Sequence, residues 1–321
     1  MSRCIHPQNF ISEVKIMKMR KRMVWLLSLT LACVSFMHAC TPAVTGTTAS
    51  STTKRTSASS TTTAATTTTV ATTTATTTTM ATTTRNPFFD DPANLLFEDN
   101  FDGTSLDGKK WSKCPEWERQ GSAVWDRNMS FLDGAGHLVL RAEWDASISK
   151  VRAGAVRTLG KFSAGYAYYE ASICFPQAYG TWGAFWLMCG DVSEGKGGVE
   201  VDIVESIHNE RGQCQAALHW NGYGDNAKSL NSGAIKAINI YDGNFHTFGL
   251  ERSDAAYIFY IDGMQVWKST NAEVIACDDL AYMKLTIEAA AWAGAGTSTS
   301  INSLPAEMLV DYVRVYQIRP W

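Results

Sequence analysis

The chain has 321 residues, a net charge of -3 and only 18% charged residues. That length suits one large domain or two ordinary ones, and 45% hydrophobic residues suffice for a core. So few charges and a negative balance argue against a nucleic-acid binder, which needs a dense Lys/Arg face, and no apolar run reaches the roughly 18 residues of a membrane span, which excludes a multi-pass protein. The 11 tryptophans beside 13 phenylalanines supply many flat faces suited to ligand contact as well as packing.

Residues 1–40 read as a secretory leader. Lys15 to Arg22 is basic, Met23 to Met37 is apolar, and small residues follow. Met17 fits the start of such a signal better than Met1, and cleavage after Ala39 is expected. Ala39-Cys40 also admits lipidation of Cys40, and an uncleaved signal anchor is the other reading. The protein is expected to be secreted or held at a cell surface. Residues 41–85 are almost all Thr, Ser and Ala, with nothing to bury against the entropy of ordering, so they read as an extended stalk open to O-glycosylation.

From residue 86 the composition changes to aromatics, glycine and alternating patterns, leaving about 235 residues, the size of a single all-β sandwich. Cys114, Cys174, Cys189, Cys214 and Cys277 lie here, an odd number, so at least one is unpaired within the domain. No two have zinc-ligand spacing. They read as buried small hydrophobes, with one bridge allowed by the oxidising context. Asn128-Met129-Ser130 is a glycosylation sequon.

In chain order, alternation predicts strands over His137–Glu143, Tyr166–Phe175, Val199–Ser206, Gln213–Trp220, Phe245–Arg252, Ala256–Ile261 and Met308–Gln317. Thr181–Met188 is a near-continuous apolar run, as expected of a strand covered on both faces. Asp262-Gly263 closes a hairpin. No helical period exceeds two turns. The expected fold is all-β, an antiparallel sandwich.

The chemistry sits in Gly198-Val-Glu200-Val-Asp202-Ile-Val-Glu205-Ser206. Side chains alternate along a strand, so Glu200 and Asp202 share a face while Glu205 points the other way. A β-bulge inserts one residue and returns Glu205 to that face. Without it, Glu205 enters the core as an unpaired charge at a cost of several kcal/mol. Three neighbouring acids cannot all ionise cheaply, and their pKa values are driven apart. Double-displacement glycoside hydrolysis needs that division: a nucleophilic carboxylate and a carboxylic acid, about 5 Å apart in retaining enzymes. The competing readings are a calcium site, which usually draws on loops and carbonyls, and a solvated acidic strand, which Val201, Ile203 and Val204 argue against.

This segment resembles the signature Glu-x-Asp-x-x-Glu of glycoside hydrolase family 16 in its bulged form. Six further segments resemble that family in the correct order: Phe97–Gly103, Phe162–Glu170, Gly180–Trp186, Phe245–Glu251, Tyr260–Gly263 and Val310–Tyr316. The resemblance implies a β-jelly-roll sandwich of two curved antiparallel sheets, concanavalin A-like, as the catalytic domain over residues 86–321. It implies Glu200 as nucleophile, Glu205 as general acid/base and Asp202 as the group modulating both. Trp182 and Trp186 match tryptophans around the family's cleft, Trp182 being the better sugar platform and Trp186 reading more readily as core. His219 is placed to bind substrate or the acid/base, or to be structural. Trp117, Glu118, Arg119, Glu288 and Trp292 are further candidates for the cleft. No cofactor is expected for catalysis. A structural calcium, common in the family, would use the carbonyls of Asn100 and Gly136 and the carboxylate of Asp311.

The expected activity is a retaining endo-glycanase of laminarin-type β-1,3- or mixed β-1,3/1,4-glucan. Galactans such as agar, carrageenan or β-1,3-galactan are the alternative substrates, and transglycosylation is the alternative reaction. A non-catalytic glucan receptor or a stalked adhesin is the non-enzymatic alternative, and the three retained acids count against both. The expected partner is a polysaccharide. No protein partner is implied, and a monomer is expected.

Overall fold

A computed structural model describes residues 91–119, 123–207, 213–236, 238–290 and 298–318. The segments expected to be a leader and a stalk lie outside these, and so does Trp292. Strands are numbered here in chain order. One sheet has seven strands in the order β13 (Lys228–Asn231), β12 (Gln213–Trp220), β11 (Val199–Ile207), β10 (Thr181–Cys189), β17 (Ala281–Ala289), β8 (Ala155–Arg157) and β2 (Ser112–Lys113). The other has eleven. Its main path runs β16 (Met264–Ser269), β15 (Tyr257–Ile261), β14 (His246–Arg252), β9 (Ala167–Cys174), β18 (Ala306–Gln317), β6 (Leu138–Asp145), β7 (Lys150–Ala153), β4 (Ala123–Trp125) and β3 (Trp117–Glu118). Off this path, β1 (Leu95–Asp99) pairs with β18 and β5 (Ser130–Leu132) with β6. The described helices α1 (Ala272–Ile275) and α2 (Ser298–Asn302) are a turn or so each.

The eight expected strands are all present, shifted by at most two residues at an end. Of the strands without an expected range, β17, β16 and β1 run nine, six and five residues, and the others, of two to four residues, carry no alternation to read. The pairing departs from the wholly antiparallel expectation once: β4 runs parallel to β7. The Asp262-Gly263 turn joins β15 to β16, with Ile261 opposite Met264 and φ of +50° and +74° at the two turn residues. Both must be left-handed for a two-residue loop to match strand twist, and glycine adopts that without a Cβ penalty.

Alternation divides the seven-stranded sheet into two faces. Val199, Val201, Phe185, Leu187, Leu218, Met283, Leu285 and Ile287 belong to the buried core, which also takes Leu138, Leu140, Ile173, Phe248, Leu250, Val313 and Val315 from the other sheet. Burying each such side chain contributes about 1.5–3 kcal/mol before entropy is counted. All five domain cysteines are free thiols, four buried and Cys174 half-buried, so the allowed disulfide is absent among the described residues. Burial pushes the Cys189 and Cys214 thiols up to about 12, which keeps them neutral packing groups.

Candidate active site

The acid-bearing strand β11 is central in its sheet, paired with β10 on one side and β12 on the other. Against β12, Glu200 faces His219, Asp202 faces Ala217 and Glu205 faces Gln215. Three steps on β11 from Asp202 to Glu205 thus match two on β12. Against β10, Asp202 faces Trp186 and Val204 faces Phe185, again with one residue extra. The bulge is therefore at Ile203, seen from both neighbours, and Ile203 and Val204 are both buried. It sets Glu200, Asp202 and Glu205 on one face.

Their surroundings differ. Glu200 accepts a 2.5 Å hydrogen bond at Oε2 from the Tyr223 hydroxyl. Asp202 is buried, and its Oδ2 has no hydrogen-bond partner; His219 Nε2 lies 3.4 Å from it, without the alignment of a hydrogen bond. Burial pushes Asp202 well above the usual carboxylate range, and the like charges of Glu205 and Glu200 push further. Glu205 is also raised by burial, while the Gln215 amide, donating to Oε2 at 2.9 Å, pulls the other way together with His219 and Trp182. The surroundings thus favour the protonated forms of Asp202 and Glu205, while Glu200 is braced by a phenol.

The other expected residues separate into two groups. Trp182 is half-buried and lies in register between Glu288 and Ile207, on the face that carries Glu205. His219 is half-exposed beside Glu200 and Asp202. Both belong to the acid cluster. Trp186 is on the same face but only 6% exposed; its Nε1 donates to Thr286 Oγ1 and the Lys284 ammonium sits 3.5 Å from its ring centroid. It is a packed wall rather than an open platform for a sugar. Glu288 is buried and raised by that burial, yet ion-paired with Arg119 at 2.8 Å. Arg119 also stacks 4.6 Å from the Trp125 ring centroid. Trp117 is 60% exposed on β3, and Glu118 pairs with Lys150.

Tyr223, Gln215 and Lys284 complete the site and went unnoticed in the sequence. Tyr223 follows a loop in which Asn221 and Gly222 have φ of +61° and +86°. Gln215 and Lys284 carry a readable signal only as polar breaks in apolar strands. The donor atoms of Glu200, Asp202 and His219 lie within 4.8 Å of one another, close enough to hold a metal ion. On the eleven-stranded sheet, Asp311 is the extra residue of a second bulge, between Val310 and Tyr312. Val310 faces Leu138 and Val313 faces Asp99, so the segments of Asp311, Gly136 and Asn100 converge there. Two carbonyls and a carboxylate suit a hard cation.

Residues 123–314 match the sequence profile of Glycosyl hydrolases family 16. The chain is 29% identical over 255 residues to a keratan-sulfate endo-1,4-beta-galactosidase of Sphingobacterium multivorum, covering 70% of this chain and 55% of that protein. It is 23% identical over 266 residues to glucan endo-1,3-beta-glucosidase A1 of Niallia circulans, covering 71% and 39%. It therefore spans about half the length of these curated relatives, or less. Among solved structures, the Rhodothermus marinus laminarinase superposes with a TM-score of 0.61 at 20% identity, covering 71% of this chain and 98% of that one. A family 16 endo-glucanase from Bacteroides ovatus gives 0.60 at 24%, covering 69% and 100%. These likenesses carry the jelly-roll fold. With well over half of its length matched by one profile, the chain is a member of glycosyl hydrolases family 16.

Proposed function

We propose that this protein is a retaining endo-glycosidase of β-1,3- or mixed β-1,3/1,4-glucan. The observation that carries the reading is the bulge at Ile203, which gathers three acids on one face in unequal environments. Glu200 attacks the anomeric carbon while Glu205, whose protonated form burial favours, gives its proton to the glycosidic oxygen. The leaving chain departs and a covalent glycosyl-Glu200 ester remains. Glu205, now a carboxylate, takes a proton from water, which attacks the same carbon and releases Glu200. Asp202, whose ionisation burial and its like-charged neighbours oppose, limits the repulsion when Glu205 ionises.

The relatives named for 1,3- and 1,3-1,4-glucan cleavage support the glucan assignment. Galactans are the second reading, supported by 29% identity to the keratan-sulfate galactosidase. The leader supports export, with Cys40 or an uncleaved signal as the alternative anchors. Calcium at the carbonyls of Asn100 and Gly136 and at Asp311 would have a structural role; it takes no part in these steps.

The test is reducing-sugar release by the full chain from laminarin, barley mixed-linkage glucan, agarose, carrageenan and β-1,3-galactan, with Glu200→Gln as control. Release from a glucan, absent in the control, is expected. Release from galactans alone moves the substrate to the second reading. A folded protein that binds these polymers and releases nothing overturns the hydrolase reading.

A further inference from the structure

His219 on β12 and Asp202 on β11 approach each other without bonding. His219 Nε2 lies 3.4 Å from Asp202 Oδ2, and no hydrogen bond joins them. Asp202 is only 5% exposed, and its Oδ2 has no hydrogen-bond partner among the described residues. A buried carboxylate oxygen in that state costs free energy that a bound group would recover. Glu200 completes the cluster. It is the direct cross-strand partner of His219, it shares a face with Asp202, and ligand atoms of all three residues lie within 4.8 Å of one another.

The distances and the donor set select the occupant. Zinc holds imidazole nitrogen and carboxylate oxygen at about 2.0–2.2 Å, in a tetrahedron. Two such ligands then stand about 3.3–3.5 Å apart, which is the separation of His219 Nε2 from Asp202 Oδ2. The widest pair has to close by roughly 1.4 Å at most. That movement is open to Glu200, a half-buried side chain with several torsions. The Tyr223 hydroxyl holds Oε2 of Glu200, so Oε1 is the oxygen that reaches the ion. One imidazole and two carboxylates leave a fourth position for water, as in zinc sites with three protein ligands. Calcium and magnesium fit less well, since they prefer six or more oxygens. The local charge also suits a cation: the carboxylates of Glu205 and Glu200 both act on Asp202, against the Lys284 ammonium.

We propose that Glu200, Asp202 and His219 form a zinc site that reversibly blocks the cleft. The ion makes and breaks no covalent bond to substrate. It occupies the carboxylate lone pairs that Glu200 needs for attack and stands where the sugar at the point of cleavage lies. The metal-free chain is the active form. Binding of the ion is independent of the hydrolase reading, and its inhibitory effect rests on that reading.

The experiment is titration calorimetry of the chelator-treated full chain with Zn²⁺ and, separately, with Mg²⁺, followed by thermal melts in each ion. Expected in the parent is a saturable Zn²⁺ site that Mg²⁺ does not fill, with a rise in Tm because the ion binds the folded state. His219→Ala and Asp202→Asn should each weaken that site at least about tenfold. His246→Gln removes the imidazole that lies between Asp242 and Asp262 and should leave the site intact. With wild-type protein and laminarin, Zn²⁺ should raise KM severalfold at unchanged kcat, and a chelator should restore the rate. No saturable Zn²⁺ binding in the parent overturns the proposal, and so does binding unmoved in both folded variants. Zinc bound at this site with turnover unaffected overturns the blocking role. If zinc binding is lost in the variants but no polymer is hydrolysed even without zinc, the hydrolase reading fails and the site stands.

Discussion

The hydroxyl of Tyr223 donates to Oε2 of Glu200 at 2.5 Å, although Tyr223 itself is 65% exposed. The contact fixes one oxygen of the Glu200 carboxylate, the proposed nucleophile, and so orients the other. It comes from a loop, where the left-handed Asn221-Gly222 step turns the chain back over the sheet. Tyr223→Phe is expected to lower kcat about tenfold, the worth of one hydrogen bond to a charged group, with little change in Tm. Steady-state kinetics with thermal melts check this; an unchanged kcat would show that the phenol does not orient Glu200.

Glu205 must be protonated to act as the acid, so kcat/KM should fall as pH rises through its raised pKa. The Gln215 amide favours the carboxylate form by donating to it. Gln215→Met removes that donor, raises Glu205 further and should move the basic limb to higher pH. A limb that stays or moves down in the pH profile counts against Glu205 as the acid.

Asp202 binds its proton more tightly folded than unfolded, because burial and two like charges oppose its ionisation. The stability it contributes is therefore full below the unfolded carboxylate pKa and is lost as pH rises through the raised folded value. Asp202→Asn lacks this loss. Its Tm should exceed that of the parent at pH 8 by a few degrees, and the gain should shrink towards pH 4. Melts across that range decide; a constant offset would point to packing instead of titration.

Arg119 holds the buried Glu288 at 2.8 Å. Arg119→Met strands that carboxylate, and breaking a buried pair costs about 3–5 kcal/mol. The double variant Arg119→Met/Glu288→Met should recover most of the loss. Denaturant unfolding of both supplies the comparison, and equal destabilisation in the two would contradict it.

Deleting Ile203 offers a test of the bulge itself. The strand becomes regular, with the third acid now two residues beyond Asp202 and still on the cleft face by the period of two. Activity should fall about 10²-fold from a displacement of roughly an ångström, and remain above that of Glu200→Gln. Complete inactivity of a folded deletion variant would refute this account.

The sequence alone determined the period-two strands, the Asp262-Gly263 turn and the need for a bulge in β11, because each follows from local sterics and the cost of burying Glu205. It also assigned Glu200, Asp202 and Glu205 to one face. The tertiary structure decided the rest. Trp186 became a wall because Lys284, nearly a hundred positions later, lies across its ring. Glu288 met Arg119 across 169 positions, and Glu205 met Gln215 from the next strand. Such partners depend on sheet order and register, which are set by packing the two sheets over one core. Local periodicity says which face a residue takes, and only the assembled sheet says what stands beside it.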